Sequence, residues 1–188
     1  MALILASQSP RRRELLGLFH IPFEVRVADI DEAMDATKAA FDEVARVSLL
    51  KARAIPREWD DIVIAADTIV VCQGRVLGKP RDERDAKQML QLLSGKDHQV
   101  MTGLSVLRGD KAVVCTEVTD LHFRSLTEAE IDGYIRTGEP MDKAGSYGIQ
   151  GGAALFCEKM VGDYYNVVGL PVCRLGQILR EIAPELFH

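Results

Sequence analysis

Residues 62–71, IVIAADTIVV, constrain the fold of this chain more than any other stretch. The run is aliphatic except for Asp67 and Thr68, and both of its alternating faces are apolar. That is the pattern of a central strand covered on both sides, not of a half-exposed one. Aspartate is depleted in strands and rarely fully buried without a partner. Left unpaired, its carboxylate costs several kcal/mol or neutralises itself through a raised pKa. Asp67 is therefore expected to meet a cation, a metal ion or a water-filled cleft, and Ala65 and Ala66 leave space beside it. It is either an acid paired for structure or a catalytic or metal-binding carboxylate held on a rigid strand.

The 188 residues suffice for one domain with a substantial core, expected as two lobes around a cleft. A formal net charge of -5 gives no global attraction to nucleic acid or to a membrane, so an anionic ligand must be met by local basic residues. Cys72, Cys115, Cys157 and Cys173 stand far apart among apolar neighbours without a C-x-x-C pair. Zinc-ribbon and thioredoxin-like readings are thereby excluded, and buried reduced thiols in the cytoplasm are expected. The apolar run in MALILASQSPRRR is too short for a signal peptide, and its charge follows the run instead of preceding it. No stretch approaches the ~20 apolar residues of a membrane span.

Residues 3–6 read as a first strand, followed by a turn into a helix. Ser9 suits the N-cap and Pro10 the first helical position. Arg11, Arg12 and Arg13 then oppose the helix dipole by ~0.3–1 kcal/mol each. A bound anion reverses that sign, because free N–H groups and guanidinium forks converge on it. Ser7 and Ser9 add donors, which favours phosphate binding over a merely solvated basic turn.

Residues 23–27 read as an edge strand, and Asp31, Glu32 and Asp35 as an acidic loop able to offer a hard-cation ligand if it folds over Asp67. Residues 39–54 read as a helix with Phe41, Val44, Ala45 and Ala52 inward and Lys51 near the edge of the stripe. Gln73-Gly74 is a hairpin turn that pairs Cys72 with Arg75. Continued, that register sets Lys79 across from Thr68, and a bulge at Gly78 would turn it toward Asp67.

Residues 82–93 form an amphipathic helix stopped at Gly95. Residues 98–107 and 112–123 form a hairpin carrying His98 and His122, two acid–base candidates that nothing in the sequence places near Asp67. Thr127 and Glu130 make a capping box. Residues 138–152, GEPMDKAGSYGIQGG, read as an irregular loop whose glycines let backbone approach a ligand. It offers Asp142, Lys143, Ser146, Tyr147 and Gln150, and matches neither the G-x-x-x-x-G-K-[ST] nor the G-x-G-x-x-G fingerprint. Residues 153–160 and 164–168 read as strands, and Pro171 opens a last helix. The mixture predicts an α/β fold with a curved mixed sheet and flanking helices.

SQSPRR with ELL, then AADTIV, LGKP, LSGKDHQVMTG, EPMDKAGSYGIQG and YYNVVGLP resemble, in order from Leu3 to Pro171, the Maf family of nucleotide pyrophosphatases, also called septum-formation inhibitors. The resemblance implies an elongated fold related to the inosine-triphosphate pyrophosphatases, with a central cleft. It implies hydrolysis of a nucleoside triphosphate to the monophosphate and pyrophosphate with a divalent cation, Mg²⁺ or Mn²⁺. The family's proton acceptor falls on Asp67, and its specificity positions on Arg12, Thr68 and Gln150. The subgroup with this combination prefers dTTP and UTP, including modified pyrimidine forms, and the family commonly forms homodimers. A sister subgroup cleaves 7-methyl-GTP, and the family's older name implies a non-catalytic, nucleotide-binding inhibitor of septum formation; hydrolysis of 7-methyl-GTP or of purine nucleotides, and that inhibitor role, stand as alternatives.

Joined to the residue chemistry, the expected scheme has Asp67 and Glu32 holding the ion and Asp67 activating water. Ser7, Arg12, Lys51 and Lys79 bind phosphates. Thr68 and Gln150 read the pyrimidine, and Asp142 and Lys143 shape the cleft's other wall.

Overall fold

The aliphatic run forms β3 (Ile62–Cys72), and the sheet is built outward from it. The computed structural model describes residues 1–27 and 29–187. On one side lie β1 (Leu3–Leu5) and the short edge strand β2 (Glu24–Val25), each running parallel to its inner neighbour. On the other lie β5 (Asp97–Arg108), β6 (Lys111–Phe123) and β7 (Cys157–Val161), with β6 and β7 antiparallel. A seventh strand, β4 (Arg75–Leu77), folds back on β3 through the expected hairpin, Cys72 opposite Arg75. The sheet is thus mixed. Six helices accompany it among the described residues: α1 (Pro10–Gly17), α2 (Ala40–Arg53), α3 (Glu83–Leu93), α4 (Glu128–Arg136), α5 (Tyr164–Val168) and α6 (Val172–Ile182). None of the described helices is long and apolar enough to cross a membrane.

The chain folds as two compact units. The first comprises Met1–Asp67, Thr102–Glu117 and the segment from Gly169 onward. Its organising contact is α2 on the sheet. Gly103 on β5 has no side chain, and a Cβ there would collide with the backbone of Val44, so the helix lies directly on the strand. One turn on, the buried Ser48 hydroxyl meets that of Ser105 at 2.7 Å. Further along, Ala52 packs with Ile4, Ala6, Val63 and Ala65. Val44, Ser48 and Lys51 are spaced i, i+4 and i+7, so the face that packs on the sheet also carries Lys51. Phe41, expected inward, is 47% exposed because it precedes this contact.

The second unit comprises Thr68–Met101 and Val118–Val168. Asp82 caps α3, and Thr127 with Glu130 closes the expected capping box on α4. Three features differ from the sequence reading. Residues 153–160 do not form one strand: a 3-10 turn, Gly152–Leu155, precedes β7. The glycine loop also contains 3-10 turns at Glu139–Asp142 and Ala144–Ser146. Residues 164–168, rich in strand formers, are helical, because Asp163 accepts the Tyr165 N–H and Asn166 turns inward to donate to the Val100 carbonyl and the Thr119 hydroxyl. Of the four cysteines only Cys72 is buried; Cys115 and Cys157 are half-buried and Cys173 is exposed.

Candidate active site

In the first unit, Val63, Ala65 and Asp67 alternate onto the face of β3 that α2 covers. The small side chains of Ala65 and Ala52 let Lys51 reach Asp67, and the Lys51 Nζ donates to Asp67 Oδ1 at 2.6 Å. The two side chains are each 14% exposed. The same ammonium lies 2.9 Å from Glu32 Oε2, whose side chain is 57% exposed. The acid thus does have a partner, and it also remains open to solvent. Asp31 turns its carboxylate onto the Ala33 N–H, so it is Glu32 that the acidic loop brings to the Lys51 ammonium.

The arginine-bearing turn is assembled as the sequence implies. Ser9 caps α1 by accepting the Arg12 N–H, and Pro10 follows it. The buried Ser7 hydroxyl accepts from the Ser9 N–H and from Arg12 Nη1, at 3.2 and 3.4 Å. Arg12 Nε donates to the Gly169 carbonyl at 2.8 Å. Burial lowers the Arg12 pKa, and Arg11 adds to that, while the Asp67 and Glu32 carboxylates favour its charged form. An arginine stays protonated through such shifts. Ser7, Arg12, Glu32, Lys51 and Asp67 therefore form one electrostatic neighbourhood of two carboxylates and two cations.

The second unit holds the remaining candidates. Thr68 follows Asp67 on β3 and is half-buried. Lys79 is exposed and lies beyond the end of β4 at Leu77, so the hairpin register does not extend to it. What holds its segment is the Gly78 carbonyl, which accepts from the Gly145 N–H at 3.0 Å. Gly145 has a positive φ of 69°, and a Cβ there would press on Val70. Lys143 donates to Asp142 Oδ1 and to the Glu139 carbonyl, both at 2.7 Å, which binds it into the loop instead of leaving it extended. Gln150 is exposed, in the turn closed by the Gly151 N–H and the Gly148 carbonyl.

Neither histidine belongs to these groups. His98 is buried, its Nε2 2.8 Å from the Tyr147 hydroxyl. His122 pairs with Asp97 at 2.7 Å. Sequence reasoning overlooked Tyr134 and Glu139, whose side chains hold the turn around Gln150. The available signal was a tyrosine and a glutamate ahead of a loop carrying Gly145, Gly148, Gly151 and Gly152.

A seven-stranded mixed sheet flanked by helices is an α/β fold that a solved structure shares. Over 96% of this chain, the fold is similar to that of a HAM1 protein from Coxiella burnetii, covering 100% of that chain with a TM-score of 0.54 at 16% identity. Residues 2–182 match the Maf-like protein family, and the chain belongs to the Maf family. It is 49% identical over 187 residues to a dTTP/UTP pyrophosphatase of Bacillus cereus (strain AH187), covering 99% of this chain and 98% of that protein. It is 51% identical over 186 residues to the dTTP/UTP pyrophosphatase of Bacillus cytotoxicus, covering 98% of this chain and 97% of that protein.

Proposed function

We propose that this chain hydrolyses nucleoside triphosphates, dTTP and UTP foremost and base-modified pyrimidine forms with them, to the nucleoside monophosphate and pyrophosphate. The observation that carries the reading is the half-buried Asp67 at the end of an apolar strand segment, held by Lys51 beside Glu32 and within the field of Arg12. The relatives that share about half of its residues bear the name of that activity.

Two carboxylates already converge on one cationic atom, the Lys51 Nζ, and both offer hard oxygen donors. Among the described residues no three His, Cys, Asp or Glu side chains group as a metal cage. Mg²⁺ and Mn²⁺ fit such a site, because Mg²⁺ keeps several waters and takes only one or two carboxylates beside substrate phosphates. Asp67 and Glu32 would hold the ion. When bound, it neutralises triphosphate charge and polarises the α-phosphoryl group.

The chain's own groups do the rest. Asp67 orients a water and accepts its proton as the oxygen bonds to the α-phosphorus. The bond from that phosphorus to the bridging oxygen breaks, and pyrophosphate leaves with the electron pair. Ser7, Arg12, Lys51 and Lys79 stabilise the charge that gathers on it. Thr68 and Gln150 offer paired donors and acceptors to the base, and such pairs reject a wrong base strongly when left unsatisfied; Asp142 and Lys143 shape a wall of the cleft.

The test is a panel of nucleoside triphosphates with products separated by ion chromatography. dTTP and UTP should yield monophosphate and pyrophosphate in equal amounts. Asp67→Asn should lose about 10²–10⁴-fold of the rate, the range a positioned general base supplies, while staying folded. Release of inorganic phosphate in place of pyrophosphate, or an Asp67→Asn variant as fast as the parent, would overturn the proposal.

A further inference from the structure

The turn that presents Gln150 is held by two side chains outside the proposed machinery. The Tyr134 hydroxyl, on α4, accepts the Gly148 N–H at 2.9 Å and donates to Glu139 Oε1 at 2.9 Å. Glu139 Oε2 accepts the Gly152 N–H at 3.1 Å. Tyr134 and Glu139 thus grip the backbone on both sides of Gln150. The glycines fit this grip. A Cβ at Gly151 would run into the Glu139 carboxylate, and one at Gly148 would sit 2.9 Å from Glu139 Oε1. A Cβ at Gly152 would sit 3.1 Å from the Tyr134 ring. The Tyr134 ring is buried, packed edge-on against Phe156 at 5.2 Å between centroids, so the hydroxyl is fixed by the core of its unit.

We infer that Tyr134 and Glu139 are positioning residues for base selection: they fix the turn from which Gln150 reads the nucleobase and touch no substrate themselves. The inference rests on the proposed reading that Gln150 contacts the base. Its physical basis is that a recognition group discriminates only when held to within a fraction of an ångström. An exposed glutamine between glycines has no such constraint of its own, because glycine leaves the backbone free.

The experiment uses Tyr134→Phe, which keeps the packed ring and deletes only the hydroxyl, with Glu139→Gln as the second variant. Two quantities are read: amide hydrogen exchange at residues 148–152, and the kcat/KM ratio of UTP to GTP. Both variants should speed exchange at the Gly148 and Gly152 amides without changing it along α4. They should also lower the UTP-to-GTP ratio by roughly tenfold, the effect of about one hydrogen bond. GTP turnover itself should be retained, which a merely destabilised enzyme would not show. Gln150→Ala separates the two levels. If it leaves the ratio unchanged, the base-reading assignment fails. If it lowers the ratio but faster exchange in Tyr134→Phe and Glu139→Gln does not, the positioning role fails while the reading of Gln150 stands. In the double variant Tyr134→Phe/Gln150→Ala the ratio should fall no further than in Gln150→Ala alone, and additive losses would also overturn the inference.

Discussion

Replacing Lys51 by methionine isolates the ion pair at the centre of the site, since Met keeps an apolar stem of similar length and removes the charge. The Lys51–Asp67 contact is 2.6 Å, with each side chain 14% exposed. Exposed pairs contribute about 0–1 kcal/mol, and removing one partner of a fully buried pair costs about 3–5 kcal/mol. The partial exposure places this pair between those limits, at about 2 kcal/mol, with little from the largely exposed Glu32. For a chain of this size that corresponds to a Tm lower by about 4–8 °C. Calorimetry on Lys51→Met, Asp67→Asn and the double variant separates a lost contact from a stranded charge. The penalty comes chiefly from leaving the Asp67 carboxylate without its cation, so the double variant should melt above Lys51→Met. If Asp67 and Glu32 hold the divalent ion as proposed, Mg²⁺ should also raise the Tm of Lys51→Met more than that of the parent, because it would offset the charge the ammonium no longer balances. An unchanged Tm in Lys51→Met, or a double variant less stable than both single ones, would refute the reasoning.

Gly103→Ala should be more damaging than a substitution at any exposed glycine, because its Cβ meets the Val44 backbone and not a movable side chain. Helix and strand must separate, so urea denaturation should show a loss of about 3 kcal/mol, the upper end of overpacking penalties. Gly17→Ala, where a Cβ meets nothing, serves as the control. For His98, burial lowers the pKa from 6.5 to about 4. The unfolded chain therefore takes up this proton first, so the contribution is intact above pH 6.5 and is lost as the pH falls from 6.5 toward 4. The stability lost reaches about 3 kcal/mol near the lower limit. In His98→Gln, which retains a partner for Tyr147, the acid limb of the stability curve should flatten over that window. Parallel curves for the two proteins would show that His98 does not titrate in this way.

What the sequence discloses about this molecule divides along the range of the interaction responsible. The Ser9 cap, the Pro10 start, the Thr127–Glu130 box and the Cys72–Arg75 pairing are legible because each is complete within four residues. Residues 164–168 are misread because strand propensity is a local quantity, while the helix is fixed by Asn166 reaching Val100 and Thr119 more than forty residues away. The site follows the same division. That Asp67 needs a partner can be deduced from burial alone, but that the partner is Lys51 cannot. It depends on α2 lying so close to the sheet that Gly103 must lack a side chain. Without that glycine, Lys51 on the edge of an apolar stripe is indistinguishable from a lysine that extends to solvent. A residue on β5 with no functional group of its own therefore sets the distance at which the lysine meets the acid. Substitutions along the α2–β5 contact should accordingly shift activity in proportion to how far they move Lys51, with the reacting groups themselves unchanged.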